Sequence, residues 1–239
     1  MVDNCHASEV AKGFYPRGLC GQMLRPLLEL SMRIILATVL VLTATISAAQ
    51  NPTTPGSKNP AAVSGGVYTV DPDHTLVVWT VDHLGFTPYT GIFGDVTGSL
   101  TLDPSRLEST KVDITIPVSK VTTASAGLTQ HLLRPGKDRA KPDFFGGSPA
   151  DARFVSTKVV ASGDRAKLTG NLTFNGVTRP VVLDVSFYGA GKLSAQMGGK
   201  ENIGFHATGT IQRSQFGLGF GVPMVGDEVK LDIAAAFAK

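Results

Sequence analysis

Asp71-Pro72-Asp73-His74 sets two carboxylates beside an imidazole, and a second imidazole, His83, follows nine residues after the first. A histidine held by carboxylates can ligate zinc or shuttle protons, so a metal or acid/base centre is the first chemistry to weigh. An enzyme built on His74, His83 and Asp71 would be a hydrolase or an isomerase. Two features argue against it. Asp-Pro-Asp ahead of a strand is ordinary turn chemistry, and neither histidine spacing matches the i, i+4 pair of a helical metalloenzyme motif. No Gly-x-Ser-x-Gly elbow is present, and Gly217-Leu218-Gly219-Phe220-Gly221 runs into Val222-Pro223 rather than into a helix that could seat a phosphate. The expectation is therefore a protein that is not an enzyme, with no catalytic residues, no metal and no cofactor.

The start of the chain narrows the class further. From Ile34 to Ile46 every residue is apolar, Ala or Thr, with Arg33 in front and Ser47-Ala48-Ala49 behind. That is the layout of a cleavable signal peptide, and the run is shorter than the roughly 18 apolar residues of a membrane span. Residues 1–49 are read as leader, with 1–31 a misassigned start if translation begins at Met32. The mature protein is then expected in the periplasm or secreted. Both cysteines, Cys5 and Cys20, precede the cleavage site, which leaves no thiol for catalysis, metal binding or haem attachment. A formal net charge of +3, without a basic block, gives no reason to expect nucleic acid or an anionic membrane surface as the main partner.

The elements that would position any site are strands. In residues 111–118, Val112, Ile114, Ile116 and Val118 alternate with Lys111, Asp113, Thr115 and Pro117, the pattern of a half-buried strand. After a flexible lead-in over 50–66, the same alternation predicts strands near 67–70, 75–84, 92–102, 109–118, 153–161, 166–174, 177–188, 202–213 and 228–238. Asn175-Gly176 is a strong hairpin signal and pairs Phe174 with Val177, Gly170 with Val181 and Leu168 with Leu183. That register turns Arg179-Pro180 awkwardly inward and suggests a bulge there. The stretch from Val121 to Ala152 does not alternate. Thr122 or Thr123 could cap a short helix running toward Leu133, and so long a connection reads as a lid or binding element.

An all-β domain of this kind, over residues 67–239, must close on itself to hide its oily face. Val77, Trp79, Val81 and His83 share the inward face of one strand. Glycines such as Gly98, Gly170 and Gly209 fall on the inward phase, which implies either sharp bends or space for a ligand. Phe86, Phe93, Phe144, Phe145, Phe216 and Phe220 lie near strand ends, where they could ring the mouth of a barrel.

Taken in order, these fragments resemble the YceI-like family, the lipocalin-like polyisoprenoid-binding proteins of bacteria. The resemblance runs from Tyr68-Thr69-Val70-Asp71 and His74 through Trp79, Val81, His83-Leu84-Gly85 and Gly91-Ile92-Phe93. It continues with His131-Leu132, Asp143-Phe144-Phe145, Phe154-Val155-Ser156 and Leu172 to Val181, and ends with Arg213 to Leu218 and Val225 to Ile233. It departs from the family at Leu128-Thr129, where an Arg-Asp pair is usual, and in the extra residues of Leu133 to Pro142. The resemblance implies an antiparallel lipocalin-like β-barrel of about eight strands with a short helical segment near the mouth. Its ligand would be a polyisoprenoid lipid or an isoprenoid quinone, held for storage or transport. Trp79, Val81, Phe93, Phe174 and Phe205 would line the tunnel, and Phe86, Leu132, Phe144, Phe145, Phe216 and Leu218 would surround its mouth. A variant reading makes the protein an accessory module that delivers quinone to a membrane redox protein.

Overall fold

The computed structural model describes residues 54–239; the expected signal peptide and cleavage site, the alternative start and the first residues of the expected lead-in lie outside the described residues. The strands are β1 (Gly66–Val70), β2 (Leu76–His83), β3 (Thr87–Phe93), β4 (Thr97–Leu102), β5 (Lys111–Ile116), β6 (Thr122–Thr123), β7 (Ala152–Ser162), β8 (Arg165–Phe174), β9 (Val177–Lys192), β10 (Glu201–Gln212) and β11 (Val225–Ala238), with one α-helix, α1 (Ala126–Leu133). All neighbours are antiparallel.

Six of these strands are halves of three longer ones. Both β1 and β2 pair with β11, Val70 opposite Phe237 and Leu76 opposite Ala234, so Asp71 to Thr75 merely interrupts one course along that edge. In the same way β4 pairs with β1 while β3 pairs with β2, and β5 pairs with β4 while β6 pairs with β3. With each broken strand taken as one, the ring is a closed antiparallel barrel of eight strands. The break at Gly94 to Val96 is why the run expected at 92–102 is two strands. Strand β3 also begins five residues earlier than expected. Pro88 ordinarily ends a strand, but it lies ahead of the short pairing with β6 at Gly91 and Ile92, where β3 has a free edge and a missing N–H costs little.

The β8–β9 hairpin has the expected register throughout, and Asn175 and Gly176 both take positive φ, 49° and 76°, as a tight primed turn requires. No bulge forms at Arg179-Pro180. Arg179 stays paired opposite Leu172 and is exposed, because the strand end lies close enough to solvent for a long side chain to reach it. The register shifts fall instead between Ser156 and Lys158 on β7, at Tyr188 of β9 opposite Gly204 and Phe205, and between Val225 and Val229 on β11. Helix α1 is capped by Ser125, whose hydroxyl accepts from Leu128 N at 3.3 Å; Thr122 and Thr123 are consumed by β6.

The inward glycines open no space for a ligand. A Cβ on Gly170 would sit 2.3 Å from the Phe154 ring, one on Gly209 2.6 Å from Leu183, and one on Gly91 2.1 Å from the Trp79 indole. Each lacks a side chain so that a neighbour's larger one can lie across it.

One end of the barrel carries an aromatic cluster, with Phe237 buried and Phe187 and Phe205 half-buried. Phe187, Phe205 and Phe237 stack edge-on with centroids 6.1 and 6.3 Å apart, and Tyr68 and Leu100 are buried beside them. The lead-in closes that end: Ser57 bridges to Ala190 and Val63 is buried in the core.

Candidate functional site

The other half of the barrel is hollow. A cavity of about 480 Å³ occupies it, within the range of roughly 300–1,000 Å³ in which proteins hold small ligands. Its walls come from the inward columns of the long strands. Strand β2 supplies Val77, Trp79, Val81 and His83, β3 supplies Tyr89 and Phe93, and β11 supplies Val225, Val229, Leu231 and Ile233. Leu172 and Phe174 of β8 face Val181 and Leu183 of β9 on the far side.

Three aromatic contacts build the narrowing toward the mouth. Phe93, Phe145 and Phe174 lie 5.6 to 6.4 Å apart as a layer across the barrel. Above them His131, Phe144 and Phe220 meet edge-on, with centroids 5.3 to 6.1 Å apart. This second cluster joins α1, the segment after it and the β10–β11 loop, so it closes the mouth from two sides.

Helix α1 presents Leu128, His131 and Leu132 to the cavity, with Ser125 at its start. The i, i+3, i+4 spacing of 128, 131 and 132 puts them on one face. Asp143 ties the helix to the segment that follows: its Oδ2 lies 2.9 Å from His131 Nε2 and accepts from Arg134 Nη2 at 2.7 Å. Those partners, Arg134 first, hold the Asp143 carboxyl below the usual carboxylate range. Leu128 makes this wall apolar. Thr129 turns instead to Thr123, hydroxyl to hydroxyl at 2.9 Å.

Arg213 is buried in the opposite wall. Its guanidinium donates to the carbonyls of Gly226, Phe220 and Val225 at 2.8, 2.9 and 2.8 Å and also to that of Leu218. Burial lowers its pKa, and the nearby Asp227 opposes that shift. The glycine-rich run 217–221 is thereby a shaped loop hung on one side chain.

Of the residues expected to form the binding site, Trp79, Val81, Phe93, Leu132, Phe144, Phe145, Phe174 and Leu218 line this cavity. Three do not. Phe205 belongs to the aromatic cluster at the other end, with Phe187 and Phe237. Phe216 is buried behind the wall, 5.8 Å from the Phe174 ring, and Phe86 is 86% exposed at the tip of the β2–β3 turn. Alternation assigns a face but not a depth along the barrel, which is why Phe205 and Phe174 look alike in sequence. Tyr89 was hidden by the late start assumed for β3; the alternation Tyr89, Gly91, Phe93 would have revealed it.

Asp71, His74 and His83 form no cluster. His74 pairs with Asp71 at 2.8 Å, Nδ1 to Oδ2, in an exposed turn whose carboxylate raises the imidazole pKa. His83 lies at the far end of β2, about 23 Å along the strand from its start at Leu76 at some 3.3 Å per residue, and lines the mouth. Among the described residues no group of three or more His, Cys, Asp or Glu could hold a metal ion.

Residues 68–237 match the YceI-like domain. The chain belongs to the YceI-like family. It is 35% identical over 167 residues to a UPF0312 protein of Pseudomonas paraeruginosa, covering 69% of this chain and 82% of that one. A UPF0312 protein of Pseudomonas fluorescens is 33% identical over 155 residues, covering 63% and 76%. Among solved structures, the Campylobacter jejuni YCEI protein is 30% identical with a TM-score of 0.55, covering 66% of this chain and 89% of that one. Burkholderia cenocepacia BcnA shares the fold at 21% identity and a TM-score of 0.55, covering 70% and 98%.

Proposed function

We propose that this YceI-like protein is a non-catalytic lipid carrier or reservoir. It is exported to the periplasm or secreted, and it holds the tail of a polyisoprenoid or isoprenoid quinone inside the barrel. The observation that carries this reading is the cavity itself, a large, nearly all-apolar space behind an aromatic mouth in a barrel whose other end carries an aromatic cluster. Burying apolar surface is worth roughly 0.8 kcal/mol per CH₂, so a branched hydrocarbon tail binds there with few polar contacts. A long tail exceeds the cavity, because Phe187, Phe205 and Phe237 block its continuation; the surplus leaves through the mouth.

Native mass spectrometry of the mature protein after export tests this directly. A discrete adduct whose organic extract contains an isoprenoid is the expected result. A bare-chain mass that does not change on incubation with isoprenoids overturns the reading.

A further inference from the structure

The outer rim of the mouth is apolar where a soluble surface would be polar. Leu84 and Phe86 stand exposed in the β2–β3 turn, and Phe220, Val222 and Met224 stand exposed in the β10–β11 loop. Phe86 is 86% exposed and Met224 69%. Among the described residues no other loop carries more than one exposed large apolar side chain. The two loops form one surface, since Leu84 N donates to Met224 O at 3.0 Å and His83 pairs with Val225 beside them.

The turn holds its tip outward. Leu84 and Gly85 take positive φ, 62° and 69°; Gly85 N donates to Asp82 Oδ1 at 2.7 Å, and Phe86 N donates to His83 O at 3.2 Å. Apolar side chains fixed in water forgo the gain of burial, and a cluster of them marks a surface that is covered in use.

Beside this rim the strap is basic. Residues 134–141 hold Arg134, Lys137, Arg139 and Lys141 against Asp138 alone, a local excess that the small net charge of the chain hides. Arg134 is paired with Asp143, while Lys137 and Lys141 are exposed. Lys141 Nζ comes within 3.6 Å of the place a Cβ on Gly217 would take, so the cations border the β10–β11 loop. The acids flanking the rim, Asp82 and Asp227, each accept from a backbone N–H, Gly85 N and Ser214 N, at 2.7 Å.

We infer that this rim is a docking surface for an anionic lipid bilayer, with Phe86 and Met224 seated among the acyl chains and the lysines of the strap over the lipid phosphates. Short apolar tips bordered by cations suit a bilayer, which needs no shaped pocket to receive them and which adds attraction for each cation near its surface. Docked in this way, the mouth opens onto the membrane, and a tail passes between barrel and bilayer without crossing water. The inference goes beyond the carrier reading and stands on the surface alone, because Leu84, Phe86, Val222 and Met224 do not line the cavity.

Flotation of the protein purified after export tests it, with vesicles of phosphatidylcholine alone and of phosphatidylcholine mixed with phosphatidylglycerol. Wild type is expected to float with both, more strongly with the mixture, and to lose that difference in high salt. Phe86→Ser combined with Met224→Ser should weaken binding to both vesicles by about tenfold or more. Lys137→Gln combined with Lys141→Gln should weaken binding to the mixture alone, also by about tenfold. All four side chains are exposed, so an unchanged thermal midpoint separates a lost contact from a lost fold. Phe86→Trp supplies a readout that needs no loss of binding: its added fluorescence should be quenched by lipids brominated on the acyl chains. The inference is overturned if wild type floats with neither vesicle, if the serine variant floats as wild type does, or if Phe86→Trp escapes quenching. It is also overturned if wild type is a dimer that the serine variant makes monomeric, which would give the rim to a second copy of the chain. Failure of the carrier reading looks different, since a chain that takes up no isoprenoid would still float.

Discussion

At the residue scale, Arg213 shows how a buried charge can be spent on shape. Its partners are backbone carbonyls of the loop it supports, so its removal strands acceptors rather than breaking an ion pair. Each buried group left unpaired costs about 1–3 kcal/mol, though water will reach some of these. Arg213→Met should therefore destabilise the protein by about 3 kcal/mol in urea unfolding. Arg213→Lys, which keeps the charge but reaches fewer carbonyls, should fall between. Gly91 makes a different kind of demand. Its Cβ would overlap the Trp79 indole at 2.1 Å, so Gly91→Ala should cost about 1–3 kcal/mol by overpacking. Most of that cost should vanish in the Trp79→Ala background, and a double-mutant cycle measures the coupling. The same logic rules out Gly170→Trp as a way to narrow the cavity, because Phe154 already fills the place a side chain would take.

At the scale of elements, the mouth is a strap of α1 and the segment after it, facing the β10–β11 loop. Asp143 joins the two parts of the strap, but its partners are partly exposed, Arg134 at 57% and His131 at 29% of the side chain, and exposed pairs of this kind add little to global stability. Asp143→Asn should thus leave global stability nearly unchanged while speeding ligand dissociation severalfold, read by stopped-flow release of a fluorescent lipid. The strap was legible in outline, as a non-alternating stretch with a short helix ending at Leu133, but its tie through Asp143 was not. Strands β7 to β11 alternate cleanly because each is paired along most of its length, and the hairpin at Asn175-Gly176 carries its register in two residues. The broken strands do not announce themselves, since Asp71 to Thr75, Gly94 to Val96 and Pro117 to Val121 look like ordinary turns although the courses resume beyond them. The cap of α1 was misplaced because Thr122, Thr123 and Ser125 are all good caps, and only the pairing of β6 with β3 removes two of them. Which inward residues surround a void and which fill a plug depends on how far along the barrel each lies, a quantity that alternation does not carry.

At the scale of the whole molecule, the end opposite the mouth is held by Glu201. Its carboxylate accepts from Ser64 N and Oγ at 3.0 and 2.8 Å and from Tyr68 OH at 2.9 Å, which joins the lead-in, β1 and β10; Lys239 adds the C-terminus through Ser64 Oγ at 2.7 Å. These bonds, those from Ser64 first, pull the Glu201 pKa from 4.5 down to about 2. A carboxyl depressed by folding contributes stability that is fully present above its unfolded value and is lost as pH falls through its folded one. Tyr68 behaves oppositely: burial, then its bond to Glu201, raises its pKa above 10.0, so its contribution is complete below that value and declines at higher pH. The Glu201 and Tyr68 contributions to the thermal midpoint should accordingly be lost below about 4.5 and above about 10 respectively. Glu201→Gln should lie below wild type at neutral pH and converge with it as pH approaches about 2, where wild type has lost the same charge. Tyr68→Phe should flatten only the alkaline limb. Because the plug of Phe187, Phe205 and Phe237 separates this latch from the cavity, neither substitution should change lipid affinity at neutral pH. A change in affinity there would mean that the two ends of the barrel are coupled through the plug.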